Sequence, residues 1–238
     1  MAESYFIFKS TDSRSMHITC GGAAPIIRGE ERAEHVTIPG RAGDLTQTEG
    51  DDIFNSYIQT VSISVAGAEN VPGVLKWLSG SGNVTFSGEP DRVQGARVIG
   101  AVTLDRISRN LDRWRGEVQF YCEPLKRDPD EADISLGGPG SVANPGDIEA
   151  RPRIALEVTA GTMVTVISSS GTFSVDLTGR SETGIVIDSE TETVTDAAGT
   201  VNLTGLSSGP FPRIAAGGAY IGGLNWSAAT VTRRCRYL

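Results

Sequence analysis

Two histidines, three cysteines and several acidic clusters are the residues whose types could do chemistry in this chain, and their spacing decides what they can do. His17 follows Ser15 and Met16, with Asp12 close by, so a hydroxyl, an imidazole and a carboxylate are near neighbours in sequence. Nucleophilic catalysis needs such groups to meet in space at hydrogen-bond distance, and nearness along the chain does not bring that about. No catalytic residue is assigned. The run D-P-D-E-A-D at 128–133 has the spaced carboxylates of a calcium loop, but it lacks the sixth-position glycine and twelfth-position glutamate that complete the oxygen cage. No metal is expected there. The glycine-rich runs at 137–140 and 217–223 lack the Lys-Ser/Thr ending of a phosphate loop and the helix that should follow it. They read as turns, and no cofactor is called for. Cys20, Cys122 and Cys235 are odd in number and far apart, which suits buried thiols better than a disulfide framework or a zinc site.

The elements that must position these groups are strands. The chain has 238 residues, enough for one large all-β domain or two of ordinary size, and its 29 glycines and 11 prolines favour short strands and tight turns. Residues 5–9 read as an opening strand and 36–38 as another, stopped by Pro39 and Gly40. Val61, Ile63 and Val65 alternate along a strand at 60–65, so they share one face. Asn70 is placed to cap a short helix with Pro72 in its first turn. Val71, Val74, Leu75 and Leu78 then fall on one helical face, and Gly80 ends the run. Further strands are expected at 83–87, 97–106 and 114–122. The last two form a long hairpin whose tip gathers Arg106, Arg109, Arg113 and Arg115.

Net charge is −8, carried unevenly: 14 bases face 16 acids up to residue 127, and 7 face 13 beyond it. Such a balance argues against a basic nucleic-acid footprint. Between 128 and 149 the acids combine with G-G-P-G and N-P-G, a mixture that suits a linker between a first domain at 1–127 and a second at 150–228. Short strands at 154–158, 163–167, 173–177, 185–187, 193–195 and 220–221 make that second domain a β-sandwich or jelly roll. The last segment, 229–238, alternates Val231, Arg233, Cys235 and Tyr237 and is a candidate to return and complete the first domain. No stretch has the apolar length of a signal peptide or a spanning helix, so a soluble chain is expected.

The motifs H-V-T-I-P-G-R-A-G at 35–43, V-L-K-W-L-S-G at 74–80, F-S-G-E-P-D at 86–91 and F-Y-C-E-P at 120–124 follow one another in a fixed order. In that order they resemble the amino-terminal half of the distal tail proteins of long-tailed bacteriophages. R-P-R-I at 151–154, I-D-S-E at 187–190 and G-P-F-P-R-I at 209–214 are similar to the galectin-like carboxy-terminal domain of the same proteins. The sequence departs from the family at 92–95, where aromatics are frequent, and at 217–219, where Gly-Gly-Ala replaces a glycine-asparagine turn. The resemblance implies a mainly β protein: an N-terminal β-sandwich or barrel-like ring domain with one short helix, then a galectin-like β-sandwich. It implies a structural, non-enzymatic hub of the virion tail tip, synthesised in the bacterial host cytoplasm. Its partners would be five further copies in a homo-hexamer, the tail tube protein and the tail-tip protein, with no membrane, while DNA passes through the lumen without specific binding.

Ring closure by head-to-tail contacts needs two different patches on each copy. Pro39, Gly40, Arg41 and Asp44 form a rigid turn carrying one charge of each sign, and Arg109 and Arg113 lie at the tip of the long hairpin. In an oligomer these side chains would meet a neighbour's charges; on a monomer they would be solvated. Two other readings stand beside the hub. One is a carbohydrate-binding adhesion module, for which Trp226 is the aromatic candidate, although a lectin-type cluster is absent from the second domain. The other is a different baseplate or tail-completion protein of similar architecture.

Overall fold

The computed structural model describes residues 4–22, 24–48, 50, 52–108 and 110–238. The chain is mainly strand and divides into two compact units, Met1–Pro129 with Leu238, and Asp130–Tyr237.

In the first unit the strands are β1 (Phe6–Phe8), β2 (Thr11–Asp12), β3 (Ile18–Cys20), β4 (Ala33–Val36), β5 (Leu45–Thr48), β6 (Tyr57–Ala66), β7 (Ser81–Phe86), β8 (Gln94–Ser108) and β9 (Leu111–Cys122). Seven of them form one antiparallel sheet in the order β2-β1-β7-β8-β9-β6-β3, while β4 and β5 pair only with each other. The register sets Val61 opposite Val118 and Val65 opposite Trp114. Alternation then puts Val61, Ile63, Val65, Val118, Phe120 and Cys122 on one buried face. Phe120 meets both Phe6 and Phe8 edge-on at 5.4 Å. Helix α1 (Val71–Trp77) covers this face, with Trp77 stacked on Phe6 at 5.6 Å and its indole N–H donating to the Phe8 carbonyl at 3.2 Å.

The helix departs from the sequence reading in two ways. Asn70 does not cap it: a 3-10 turn at Ala68–Asn70 leads in, and the Asn70 amide donates back to the Ala66 carbonyl at 2.8 Å. Leu75, expected inside, is exposed, because seven residues present only a narrow stripe, filled by Val74 and Leu78. Between β8 and β9 the register shifts at Ile99/Thr103. There the chain crowds Gly116 so closely that an added Cβ would lie 1.9 Å from the Thr103 carbonyl oxygen, so the bulge requires glycine.

The second unit contains β10 (Ile134–Leu136), β11 (Gly140–Val142), β12 (Arg153–Val158), β13 (Met163–Ser168), β14 (Gly171–Asp176), β15 (Gly184–Asp188), β16 (Thr193–Asp196), β17 (Ser207–Ser208), β18 (Ala219–Leu224) and β19 (Trp226–Thr232). Two five-stranded sheets, β10-β19-β12-β15-β16 and β11-β18-β13-β14-β17, supply the inward residues of one core that includes Ile154, Ile187, Phe173, Val175, Ile221 and Val231. This is a β-sandwich.

Two segments behave differently from their sequence reading. Within 128–149, β10 and β11 are strands of the two sheets, and Asn144 is buried, its amide donating to the Ile148 and Ile214 carbonyls at 3.0 Å each. The acids that gave the stretch a linker-like composition are carried beside inward-facing Ile134, Leu136 and Val142. The terminal strand β19 pairs with β10 and β12, setting Val231 opposite Ile134 and Ile154, so it completes the second unit and not the first. Val231 is fully buried in that core, which fixes the choice.

Beyond β19 the chain is held by charge. Arg234 donates to both carboxylate oxygens of Asp188 at 2.7 and 2.9 Å, and Arg236 to Glu190 at 3.2 Å. The guanidinium holds the Asp188 carboxyl down at about 2, helped by the backbone N–H groups of Thr191 and Glu190. Burial pushes the Cys235 thiol up to about 12, and the Glu131 carboxylate, which accepts from the Cys235 backbone N–H at 3.1 Å, acts in the same direction.

Candidate interface surfaces

The turn at 37–44 caps the β4–β5 ribbon, where Val36 stands opposite Leu45. Gly40 and Gly43 adopt φ of 84° and 82°, a region that favours glycine. The Arg41 N–H donates to the Ile38 carbonyl at 3.1 Å, and the Thr37 hydroxyl donates to Asp44 at 2.8 Å. Asp44 therefore ties the turn together, whereas Arg41 is exposed and its side chain has no partner among the described residues. Pro39 is exposed beside it.

No residue of the ribbon is buried, although Val36, Ile38 and Leu45 are apolar and 37–42% exposed. Its described ties run through its base: Glu31 bridges Phe54, the Arg32 N–H donates to the Ile53 carbonyl at 2.9 Å, and the Asn55 N–H donates to Glu30 at 2.7 Å. A lone two-stranded ribbon is marginal in water.

Arg113 is exposed on β9 opposite Ala66; Arg109 lies outside the described residues. At the start of β9, Asp112 turns back to accept the Ala68 N–H at 3.1 Å. The structure thus separates the two expected groups into the turn at 37–44 and the end of the β8–β9 hairpin.

The chemistry-bearing residues are used for folding. The Asp12 carboxylate accepts the Arg14 N–H at 2.8 Å as the cap of a 3-10 turn, and the Arg14 guanidinium holds its pKa below the usual value. Ser15 donates to the Asp12 carbonyl at 2.6 Å, and His17, exposed with φ of 59°, ends the turn. His35 pairs with Thr46 across the ribbon at 3.1 Å. None of the three cysteines forms a disulfide, and burial pushes the Cys122 thiol up to about 12. Among the described residues no cluster of His, Cys, Asp and Glu could hold a metal ion, and no helix is long and apolar enough to cross a membrane.

Trp226 is 8% exposed and packs in the sandwich core, its indole N–H donating to the Thr165 carbonyl at 3.2 Å. Its ring offers no face to a sugar, because the register shift between Ala228 and Trp226 breaks the alternation of β19 and turns position 226 inward with Ala229 and Val231. Sequence reasoning passed over strand β5, whose Leu-Thr-Gln-Thr composition lacks an alternating apolar signal. It also passed over the outward residues of β8 and β9, which show only as the complement of the buried ones.

No family model matches the chain, and no curated protein matches it. Among solved structures, the crystal structure of the SPP1 Dit protein (gp 19.1), described as a paradigm of the hub adsorption apparatus in phages infecting Gram-positive bacteria, matches with a TM-score of 0.74. The match covers 100% of both chains at 16% sequence identity. What it establishes is the fold: this chain has a Dit-like fold from end to end, the architecture its motifs imply.

Proposed function

We propose that this protein is a structural hub of a phage tail tip, in which six copies close into a ring through the first unit. The ring joins the tail tube to the tail-tip protein and leaves a channel for DNA. The observation that carries this reading is the end-to-end likeness to a hub adsorption protein. The β4–β5 ribbon adds support from within the chain: exposed Val36, Ile38 and Leu45, with unpaired Arg41 at the tip, make one of the two patches that a head-to-tail ring needs. The Ser15 hydroxyl and the Asp12 carboxylate are both bonded within a 3-10 turn.

Light scattering and particle imaging of the full chain, alone and with its tail-tip partner, test the reading. Six-fold rings are expected in at least one sample. Monomers or two-fold dimers in both would overturn it.

A further inference from the structure

On the outward side of the first unit's sheet, the register brings two rows of polar side chains together. Ser81, Arg97 and Tyr121 are cross-strand neighbours on β7, β8 and β9; Asn83 stands opposite Gly95, and the Glu123 N–H donates to the Gly95 carbonyl at 2.8 Å in the next row. Alternation puts both rows on the same side of the sheet. They line an open groove of about 490 Å³, which Ser56 closes at one edge. A Cβ at Gly95 would fall 2.5 Å from the Glu123 carboxyl carbon, so the glycine makes room for the Glu123 side chain, which lies across it and forms part of the floor.

The groups around this groove are unspent. The side chains of Asn83, Arg97, Tyr121 and Glu123 make no hydrogen bond or ion pair among the described residues. Arg97 and Glu123 are exposed, and Tyr121 is 48% exposed, with Ile58 beside it in the register. A guanidinium offers a fork of donors, a carboxylate two acceptor oxygens, and an amide one of each. An aromatic ring next to them supplies an apolar face. That combination matches a pyranose ring, which presents C–H groups on one face and hydroxyls around its rim.

We propose that this groove is a carbohydrate-binding site for neutral or N-acetylated pyranose oligosaccharides, with Tyr121 as the stacking platform, Glu123 and Asn83 receiving hydroxyls, and Arg97 donating to ring or hydroxyl oxygens. The groove continues past Asn83, Gly95 and Glu123 into a second hollow of about 320 Å³ bordered by Leu125, giving room for more than one ring. A protein seated on the same surface is the alternative occupant, since Arg and Tyr are also enriched at protein interfaces, and the oligomeric-state arm of the test separates the two. The site lies outside the second unit, where the sandwich fold would direct the search for a sugar.

The test is an array of neutral and N-acetylated pyranose oligosaccharides of two to six rings, probed with the full chain, followed by calorimetry on the strongest binder. Tyr121→Ala is expected to weaken binding roughly tenfold, the scale of losing an aromatic face. Glu123→Gln should weaken it roughly tenfold as well, since a charged acceptor becomes a neutral one. Gly95→Ala, which displaces Glu123 without removing it, should also weaken binding. Tyr220→Ala, which removes an exposed aromatic of the second unit, should leave binding unchanged. Circular dichroism checks the fold of each variant, and Tyr121→Phe, which keeps the platform, should retain binding even if Tyr121→Ala fails to fold. No binding anywhere on the array overturns the proposal. So does binding that survives both Tyr121→Ala and Glu123→Gln, or a Tyr121→Ala effect confined to oligomeric state, which would make the groove a contact between copies.

Discussion

The two units spend their charges differently. In the second, Arg234 and Arg236 are bound to Asp188 and Glu190, Arg213 to Glu149 at 2.8 Å and Arg180 to Glu182 at 2.6 Å, and two sheets enclose one core. In the first, a single sheet has a helix on one face. There Arg14 is bound to Asp12 and Lys126 to Glu89, while the sheet's other face and the ribbon carry Arg41, Arg97, Arg113 and Glu123, whose side chains make no hydrogen bond or ion pair among the described residues. The sandwich pairs most of its arginines internally, whereas the open sheet and its ribbon leave several exposed. The difference implies that mutations in the second unit act on stability, whereas surface mutations in the first act on contacts.

The largest effect expected is in the core beneath the open sheet. Phe120 is fully buried and touches Phe6, Phe8 and Phe86, so Phe120→Ala should cost about 3–5 kcal/mol by removing its burial and leaving a cavity. Denaturant unfolding read through Trp77, whose ring stacks on Phe6, would report it. If Trp77 and Trp226 unfold together and shift equally, the units are not independent and the comparison fails.

Next comes the clamp of the second unit. Arg234→Ala strands the Asp188 carboxylate at the end of β15, where its side chain is only 18% exposed, and a loss of about 1–3 kcal/mol follows. The same pair sets a pH dependence. The Asp188 carboxyl is held at about 2, below its ordinary 3.8, by Arg234, so its contribution is complete above about pH 4 and is lost as pH falls towards 2. That contribution is on the order of 1–2 kcal/mol after solvent screening. Acid titration of the unfolding midpoint should therefore fall more steeply for the native chain than for Arg234→Ala. Equal slopes would remove Asp188 from the account.

Much of this architecture was legible because alternation is a direct record of burial: Val61, Ile63 and Val65, or Val118, Phe120 and Cys122, announce their face without any other information. The sites were harder to read. Trp226 is buried or exposed according to which way one position of β19 faces, and composition does not say. The stretch around Gly137 has the acids and glycines of a linker, yet Ile134, Leu136 and Val142 were its strand signal, too short to stand out. Arg97, Asn83 and Glu123 are distant in sequence and become neighbours only through the register of β7, β8 and β9. Cross-strand pairing is non-local, and a single sequence carries almost no record of it.

The smallest effect on stability, and the sharpest on assembly, is expected at Arg41. Its side chain has no partner among the described residues, and the turn holds its shape through Gly40, Gly43, the Arg41 N–H to Ile38 bond and the Thr37–Asp44 hydrogen bond. Arg41→Glu removes none of these, so the monomer should keep its midpoint within about 0.5 kcal/mol, as surface substitutions usually do. At a subunit contact the same change sets a carboxylate against a carboxylate. Like charges across an interface cost several kcal/mol, enough to shift sedimentation from rings towards smaller species. A destabilised monomer would place Arg41 among the groups that hold the fold. Rings that survive the change unaltered would leave the tip of the ribbon in solvent, and the ring contact would then have to come from the apolar side chains of Val36, Ile38 and Leu45 further down the ribbon.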